Sequence, residues 1–257
     1  MKRRPEPELM EDAEQALAYA QADFSESNAL FIKLLGRLDP APLPRARALD
    51  LGCGPADIVC RFLRAWPQAT CDALDGSAAM LGHARAALDR LPGVAARARL
   101  LCEVLPSPTL PKAHYDLILS NSLLHQLHNP QVLWQAVRAA AAPGAQVLIM
   151  DLMRPASAGW AEALVATYAA GEPEVLRSDF RNSLFAAFEP AEVVDQLAQA
   201  GLSALEVAVV SDRHLAVFGR MEEENLSANE RKLISYGLAS DIAAAMTELH
   251  KTHQPAS

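Results

Sequence analysis

Cysteine is scarce in this chain, with four residues in 257 and no C-x-x-C pair among them. Cys53, Cys60, Cys71 and Cys102 lack metal-ligand spacing, and the seven histidines form no H-E-x-x-H. A disulfide framework or structural metal is therefore unsupported, and the cysteines read as small core residues. Long apolar runs are missing too: none approaches the roughly 20 residues of a membrane span. The opening "MKRRPEPELMEDAEQ" is basic but has no apolar stretch of the kind a signal peptide needs, so the cytoplasm is the expected compartment. Positive charge is in deficit, 23 Lys and Arg against 31 Asp and Glu. The net charge of −8 disfavours broad binding to nucleic-acid backbone or acidic membrane. What remains is 51% apolar and 21% charged, the composition of a globular protein able to bury a core.

From residue 46 to 220, short β-like runs alternate with helical stretches. The strands expected are 47–51, 69–75, 98–104, 115–121, 145–152, 204–211 and 214–220. Helical composition between the first five, as in "AAMLGHARAALDRL", argues for an α/β fold: a parallel sheet with helices on both faces. The last two strands are separated by only about two residues, so they should form a hairpin and leave one antiparallel strand at the sheet edge. A helical cap is expected over residues 1–45, with two helices broken near "DFSESN", where Ser25, Ser27 and Asn28 could cap backbone N–H groups. Residues 156–188 read as a helical insertion divided by Gly171 and Pro173, and 221–257 as a helical tail. In that tail Ile234, Leu238, Ile242, Met246 and Leu249 recur at helical spacing, a stripe suited to packing on its own domain or to a homodimer contact.

The stretch "ALDLGCGPADIVCRFL" (48–63) carries the chemistry. Asp50 ends the first strand, Gly52 and Gly54 form a turn a ligand can approach without meeting a Cβ atom, and a helix begins near Asp57. Asp75 closes the next strand 21 positions beyond Gly54, where a carboxylate can accept both hydroxyls of a ribose. The dinucleotide fingerprint G-x-G-x-x-G would place glycine at 57; this chain has Asp57, which opposes a pyrophosphate at the helix start. Asp50 and Asp57 suit a nucleoside with a cationic end and no phosphate. S-adenosylmethionine is such a molecule.

"ALDLGCGPA" resembles the first motif of class I S-adenosylmethionine-dependent methyltransferases, and "ALDGSAAML" their second. "YDLILSNSLLHQL", "PGAQVLIMDL" and "FEPAEVVDQLAQAGL" resemble the fourth strand, the fifth strand and the helix before the terminal hairpin. The resemblance spans 46–220 and is nearest the small-molecule subgroup, such as ubiquinone and menaquinone biosynthesis methyltransferases. It implies a Rossmann-like seven-stranded sheet and S-adenosylmethionine as cofactor. It implies a cofactor site of Asp50, Gly52, Cys53, Gly54, Asp75, Gly76 and Met80, extended by Glu103 and Val104 after the third strand and by Asn121 and Ser122 after the fourth. Two departures stand out. Ala56 replaces the third motif glycine, and Glu103 is the only acid where the family often has an aspartate for the adenine amino group.

His125 and His128, at the carboxyl end of the fourth strand, are candidates for a general base or for substrate orientation. They share a face if the segment is a helical turn. Substrate contacts are expected from the helical segments outside the sheet, with Tyr19, Phe24 and Arg181 the candidates, while Asp151, Arg154, Asp212 and Arg213 read as surface charges. The absence of an Asn/Asp-Pro-Pro-aromatic signature lowers nucleic acid as substrate. Two other readings stay open: a catalytically silent partner subunit of the same fold, and, more weakly, a nicotinamide-dependent oxidoreductase.

Overall fold

The computed structural model describes residues 1–38 and 43–221. Seven strands form one sheet: β1 (Arg47–Leu51), β2 (Thr70–Asp75), β3 (Ala98–Cys102), β4 (Tyr115–Asn121), β5 (Ala141–Leu152), β6 (Glu206–Val209) and β7 (His214–Arg220). Their order is β3-β2-β1-β4-β5-β7-β6. The first five are mutually parallel, and β7 runs antiparallel to both β5 and β6. The Rossmann-like α/β architecture and the terminal hairpin are as the alternation predicts. One detail differs: the antiparallel strand lies inside the sheet and β6 forms the edge. Residues 215–218 of β7 are fully buried, whereas β6 is only half-buried, so apolar content places "HLAVFG" in the interior.

Helices α3 (Asp57–Ala65), α4 (Ala78–Asp89) and α5 (Pro92–Ala95) follow β1 and β2; α6 (Gln131–Ala140) follows β4 and α9 (Pro190–Ala200) leads to β6. On α3, Ile58, Val59, Phe62 and Leu63 turn one face into the core with Leu34, Leu35 and Leu117. α6 and α9 cover the opposite face, where Trp134, Val137, Val193 and Leu197 pack with Ile118 and Val147. α9 starts with Pro190 and a reciprocal Glu189–Glu192 cap and stops at Gly201, whose φ of 71° is a conformation glycine adopts without strain. Three of the four cysteines are buried as expected; Cys102 is exposed at the end of β3.

Outside the sheet lie α1 (Ala13–Gln21), α2 (Ser25–Leu35), α7 (Ala158–Tyr168) and α8 (Glu174–Ala186). The break between α1 and α2 is where the sequence places it, but its chemistry differs. α2 has no side-chain cap; the Asp23 carboxylate accepts from the Ser25 N–H at 2.9 Å, and Ser27 donates to the Phe24 carbonyl. Asn28 instead faces inward and is buried. The striped segment 226–249 lies outside the described residues. Among the described residues no helix is long and apolar enough to cross a membrane, and no group of three or more His, Cys, Asp or Glu is placed to hold a metal ion.

Trp134 is fully buried, and its indole N–H donates to the Gln196 side chain at 2.9 Å, tying α6 to α9. A buried donor left without its acceptor costs about 1–3 kcal/mol. Gln196→Ala is therefore expected to lower stability by that amount in urea unfolding.

Candidate active site

The sheet order reverses between β1 and β4, and in open α/β sheets the crevice outside the strand ends at such a point receives the ligand. Here it holds a cavity of about 510 Å³. The five parallel strands reach it at their carboxyl ends: Asp50 from β1, Asp75 from β2, Glu103 just after β3, Asn121 from β4 and Leu152 from β5.

At the glycine turn, Gly52 and Gly54 have φ of 73° and 51°, and the space a Cβ would take at Gly54 is open. Ala56 also adopts left-handed backbone, with φ 65°, in a fully buried position. A residue with a Cβ pays roughly 1–2 kcal/mol for that conformation. The third motif position thus keeps a glycine's geometry while carrying alanine. The Asp75 carboxylate braces the loop by accepting from the Gly54 and Ser77 N–H groups, each at 2.8 Å.

Asp50 is 1% exposed, and neither carboxylate oxygen has a hydrogen-bond partner. Burial, with the nearby charge of Asp75 adding to it, raises its pKa to about 7. Burial raises Asp75 as well, against the pull of its two backbone donors. An orphaned buried carboxylate, a second one beyond an open glycine turn and the apolar Met80 fit a nucleoside with a cationic end. The residues present therefore match S-adenosylmethionine.

Asn121 and Ser122 lie on the opposite wall, with Ser122 at φ 62° and its N–H bonded to the Met150 carbonyl at 2.9 Å. Asn28 bridges this wall to the helix start: it donates to Asp57 and accepts from Asn121 at 3.2 Å. Asp57 is further held by Arg61 at 3.1 Å. Gly76 and Val104 line the cavity, and a Cβ at Gly76 would come within 2.7 Å of the Leu9 side chain. Glu103 lines it too, but both its oxygens accept from the hydroxyls of Ser107 and Thr109, which hold its pKa low.

His125 and His128 part company. The single turn Leu124–Gln126 ends at Leu127, whose backbone is extended, so the two rings do not share a face. His125 is buried, its Nδ1 2.6 Å from Asp151 Oδ1, and Asp151 also accepts from the backbone of His125 and Leu152. His125 Nε2 faces Glu6 at 3.4 Å. Burial opposes ionisation of the ring, but Asp151 and Glu6 outweigh it and raise the pKa. His128 is exposed at the rim, with Nε2 2.8 Å from the Glu6 carbonyl and its N–H bonded to Glu8.

Asp151 and Arg154 correct the expectation of surface charges. Asp151 is 1% exposed, and Arg154 is buried between Glu189, Glu192 and the Ala187 carbonyl. Tyr19 and Phe24 line the cavity as a tilted pair 4.7 Å apart. Arg181 does not line it: its guanidinium is engaged by Glu162 at 2.8 and 3.1 Å, joining α8 to α7.

The sequence gives no sign of what the first ten residues do. Arg3 donates to the carbonyls of Ala186, His125 and Leu127 and stacks on Phe188, Arg4 bonds the Phe185 carbonyl, and the Met10 carbonyl accepts from Ser77. This strap brings Glu6 and Leu9 into the cavity wall. Asp151 did have a signal, the lone acid closing the apolar run "VLIMDL".

Because burial raises the Asp50 pKa to about 7, its favourable contribution is present below the unfolded pKa near 3.9 and is lost as pH rises through about 7. Without ligand, Asp50→Asn is expected to raise Tm at pH 8, by up to about 4 kcal/mol of stability, and to change little at pH 4. Equal Tm shifts at both values in calorimetry would contradict this.

Comparison with known proteins adds the sequence kinship. Residues 49–147 match the family model described as "Methyltransferase domain". A trans-aconitate 2-methyltransferase of Methylobacterium radiotolerans is 33% identical over 180 residues, covering 65% of this chain and 61% of that protein. One from Streptomyces avermitilis is 37% identical over 100 residues, covering 37% and 34%. The chain thus spans between a third and three-fifths of the length of these relatives. Among solved structures, the plantazolicin methyltransferase BpumL with SAH and a desmethyl analogue superposes at TM-score 0.62, with 13% identity, 82% of this chain and 90% of that one. Residues 49–147 thus match a methyltransferase-domain model, and the chain shares the fold of solved S-adenosylmethionine-dependent methyltransferases.

Proposed function

We propose that this protein is an S-adenosylmethionine-dependent methyltransferase acting on a small molecule. The observation that carries the reading is the buried, partnerless carboxylate of Asp50 beside an open glycine turn, with Asp75 across it. When bound, the cofactor supplies an electrophilic methyl group on a sulfonium. Asp50 is the acceptor for the cofactor's cationic end, Asp75 for its ribose hydroxyls. Gly52, Cys53 and Gly54 give backbone room, Gly76, Met80 and Val104 flank the base, and Asn121 and Ser122 form the facing wall. His125 receives a proton at Nε2 while Asp151 holds Nδ1–H and fixes the ring. Tyr19 and Phe24 border the acceptor. Helices α7 and α8, joined by Arg181 and Glu162, serve as the lid that excludes water, with residues 1–45 as a cap and 46–220 as the methyltransferase domain. Aligning the nucleophile with the methyl carbon supplies most of the remaining effect.

The motifs favour the quinone-biosynthesis type, whereas the relatives named above are trans-aconitate enzymes. The residues that border the acceptor separate the two.

The reading is tested by calorimetric titration with S-adenosylmethionine and S-adenosylhomocysteine. Binding is expected, and Asp75→Ala should weaken it about ten- to a hundredfold as two hydroxyls lose a charged acceptor. No heat with either ligand would return the silent-partner alternative, and unchanged affinity in folded Asp75→Ala would remove that residue from the site.

Turnover can be followed as labelled methyl passing from the cofactor into a small-molecule extract. His125→Ala should lower it about 10²–10⁴-fold. Since a base must be unprotonated and the His125 pKa is raised above 6.5, the wild-type rate should climb with pH through that raised value. A flat profile, or an unaltered rate in the variant, would demote His125 to packing.

A further inference from the structure

We infer that the group methylated here is a protic one without negative charge, a hydroxyl or an N–H, and that Glu6 and Asp179 reject carboxylate acceptors. The inference rests on the methyltransferase reading and names its substrate class.

The first observation is the oriented base. Asp151 takes three donors, the His125 ring at 2.6 Å, the His125 N–H at 3.2 Å and the Leu152 N–H at 2.6 Å, so one edge of the imidazole is fixed and Nε2, which faces Glu6, is the edge left to act. A carboxylate near neutral pH is already ionised and gains nothing from such a group. A hydroxyl or N–H must lose a proton, and a base within reach accelerates that loss.

The second observation is the charge around Nε2. Glu6 faces it at 3.4 Å and is itself held by the Ser183 hydroxyl of α8 at 3.0 Å. Asp179, also on α8 and lining the same cavity, accepts from Gln15 at 2.8 Å through one oxygen, while its other oxygen is enclosed without a partner. An anionic acceptor entering here meets both carboxylates. A donor O–H or N–H, or a cationic substituent, satisfies the empty oxygen.

The third is the engagement of the nearby cations. Arg213, the one guanidinium among the described residues lining the cavity, lies 3.3 Å over the Tyr168 ring and bonds Asp212 at 3.0 Å. Arg3, close to His125, gives its Nε and Nη2 donors to three carbonyls. The bidentate arginine clamp that suits a polycarboxylate is therefore not on offer.

In the step this implies, the acceptor's O–H or N–H bond breaks and its proton passes to His125 Nε2. The oxygen or nitrogen pair forms the bond to the methyl carbon. The carbon–sulfur bond breaks with its pair left on sulfur, giving a neutral thioether, a methyl ether or methylamine, and an imidazolium.

The test uses the full chain saturated with S-adenosylhomocysteine and trans-aconitate as the carboxylate probe. Prior titration with S-adenosylhomocysteine separates the two claims: failure of the wild type to bind it counts against the methyltransferase reading. In the loaded protein, trans-aconitate should give no heat with wild type at millimolar concentration. Removing the two charges in Glu6→Gln/Asp179→Asn should improve its affinity about ten- to a hundredfold. Should the double variant fail to bind S-adenosylhomocysteine, Asp179→Asn alone, a part-exposed site with one side-chain partner, should show a smaller gain in the same direction. Tight binding to wild type, or no gain in the variants, overturns the inference. Labelled product from the extract gives a second readout: ethers and amines keep their label in mild alkali, and release of labelled methanol from an ester would overturn it as well.

Discussion

Two carboxylates gathered at the end of a parallel sheet, with no cation beside them among the described residues, set the terms for the rest of this molecule. Asp50 is buried near the end of β1 where it borders the crevice, and Asp75 has only backbone donors to answer its charge. Under the proposed reading, the positive end of the cofactor is what completes the arrangement. Around the pair stand glycines at the turn, left-handed backbone at Ala56 and Ser122, and Asn28, which reaches in from α2 to donate to Asp57 at the helix start.

A second polar line crosses the same crevice from β5 to the chain's first residues. It runs from Asp151 through His125 to Glu6 and on to Ser183. Its two ends differ in kind. Asp151 belongs to a central strand and has a rigid frame, whereas Glu6 is carried by a segment without regular structure, pinned by Arg3 and Arg4 to the end of α8. The first residues, α8 and the histidine are thus joined in one polar line, while Asp50, Asp75 and Asn121 reach the cavity from strand ends.

How far this could be read from the sequence follows the same division. Strands β1, β4 and β7 fall on the residues expected, because alternation of apolar runs with turn residues is a local signal. The glycine turn, Asp50 and Asp75 were legible for the same reason: spacing along adjacent strands fixes them in space. Residues brought together by tertiary packing were not. Nothing in "MKRRPEPE" announces a strap, since its contacts are with carbonyl groups that any sequence possesses. Asn28 reads as a cap and acts as a bridge. His128 shares the spacing of His125 but not its place, because the helical turn stops one residue too soon. The hairpin was foreseen, but its placement with β7 inward depends on which of two short strands is the more apolar.

That inward placement bears on how the chain comes to be made. β7 is the last strand among the described residues, yet it pairs with β5 along seven residues, from Gln146 to Leu152. As the polypeptide emerges from the ribosome, β1 to β5 can assemble first, but β5 then presents a bare, strongly apolar border until residue 220 has cleared the exit tunnel. Unpaired borders of this sort invite association with other chains. Synthesis stalled after α9 would leave the cofactor crevice largely composed on a nascent domain whose open flank is liable to aggregate.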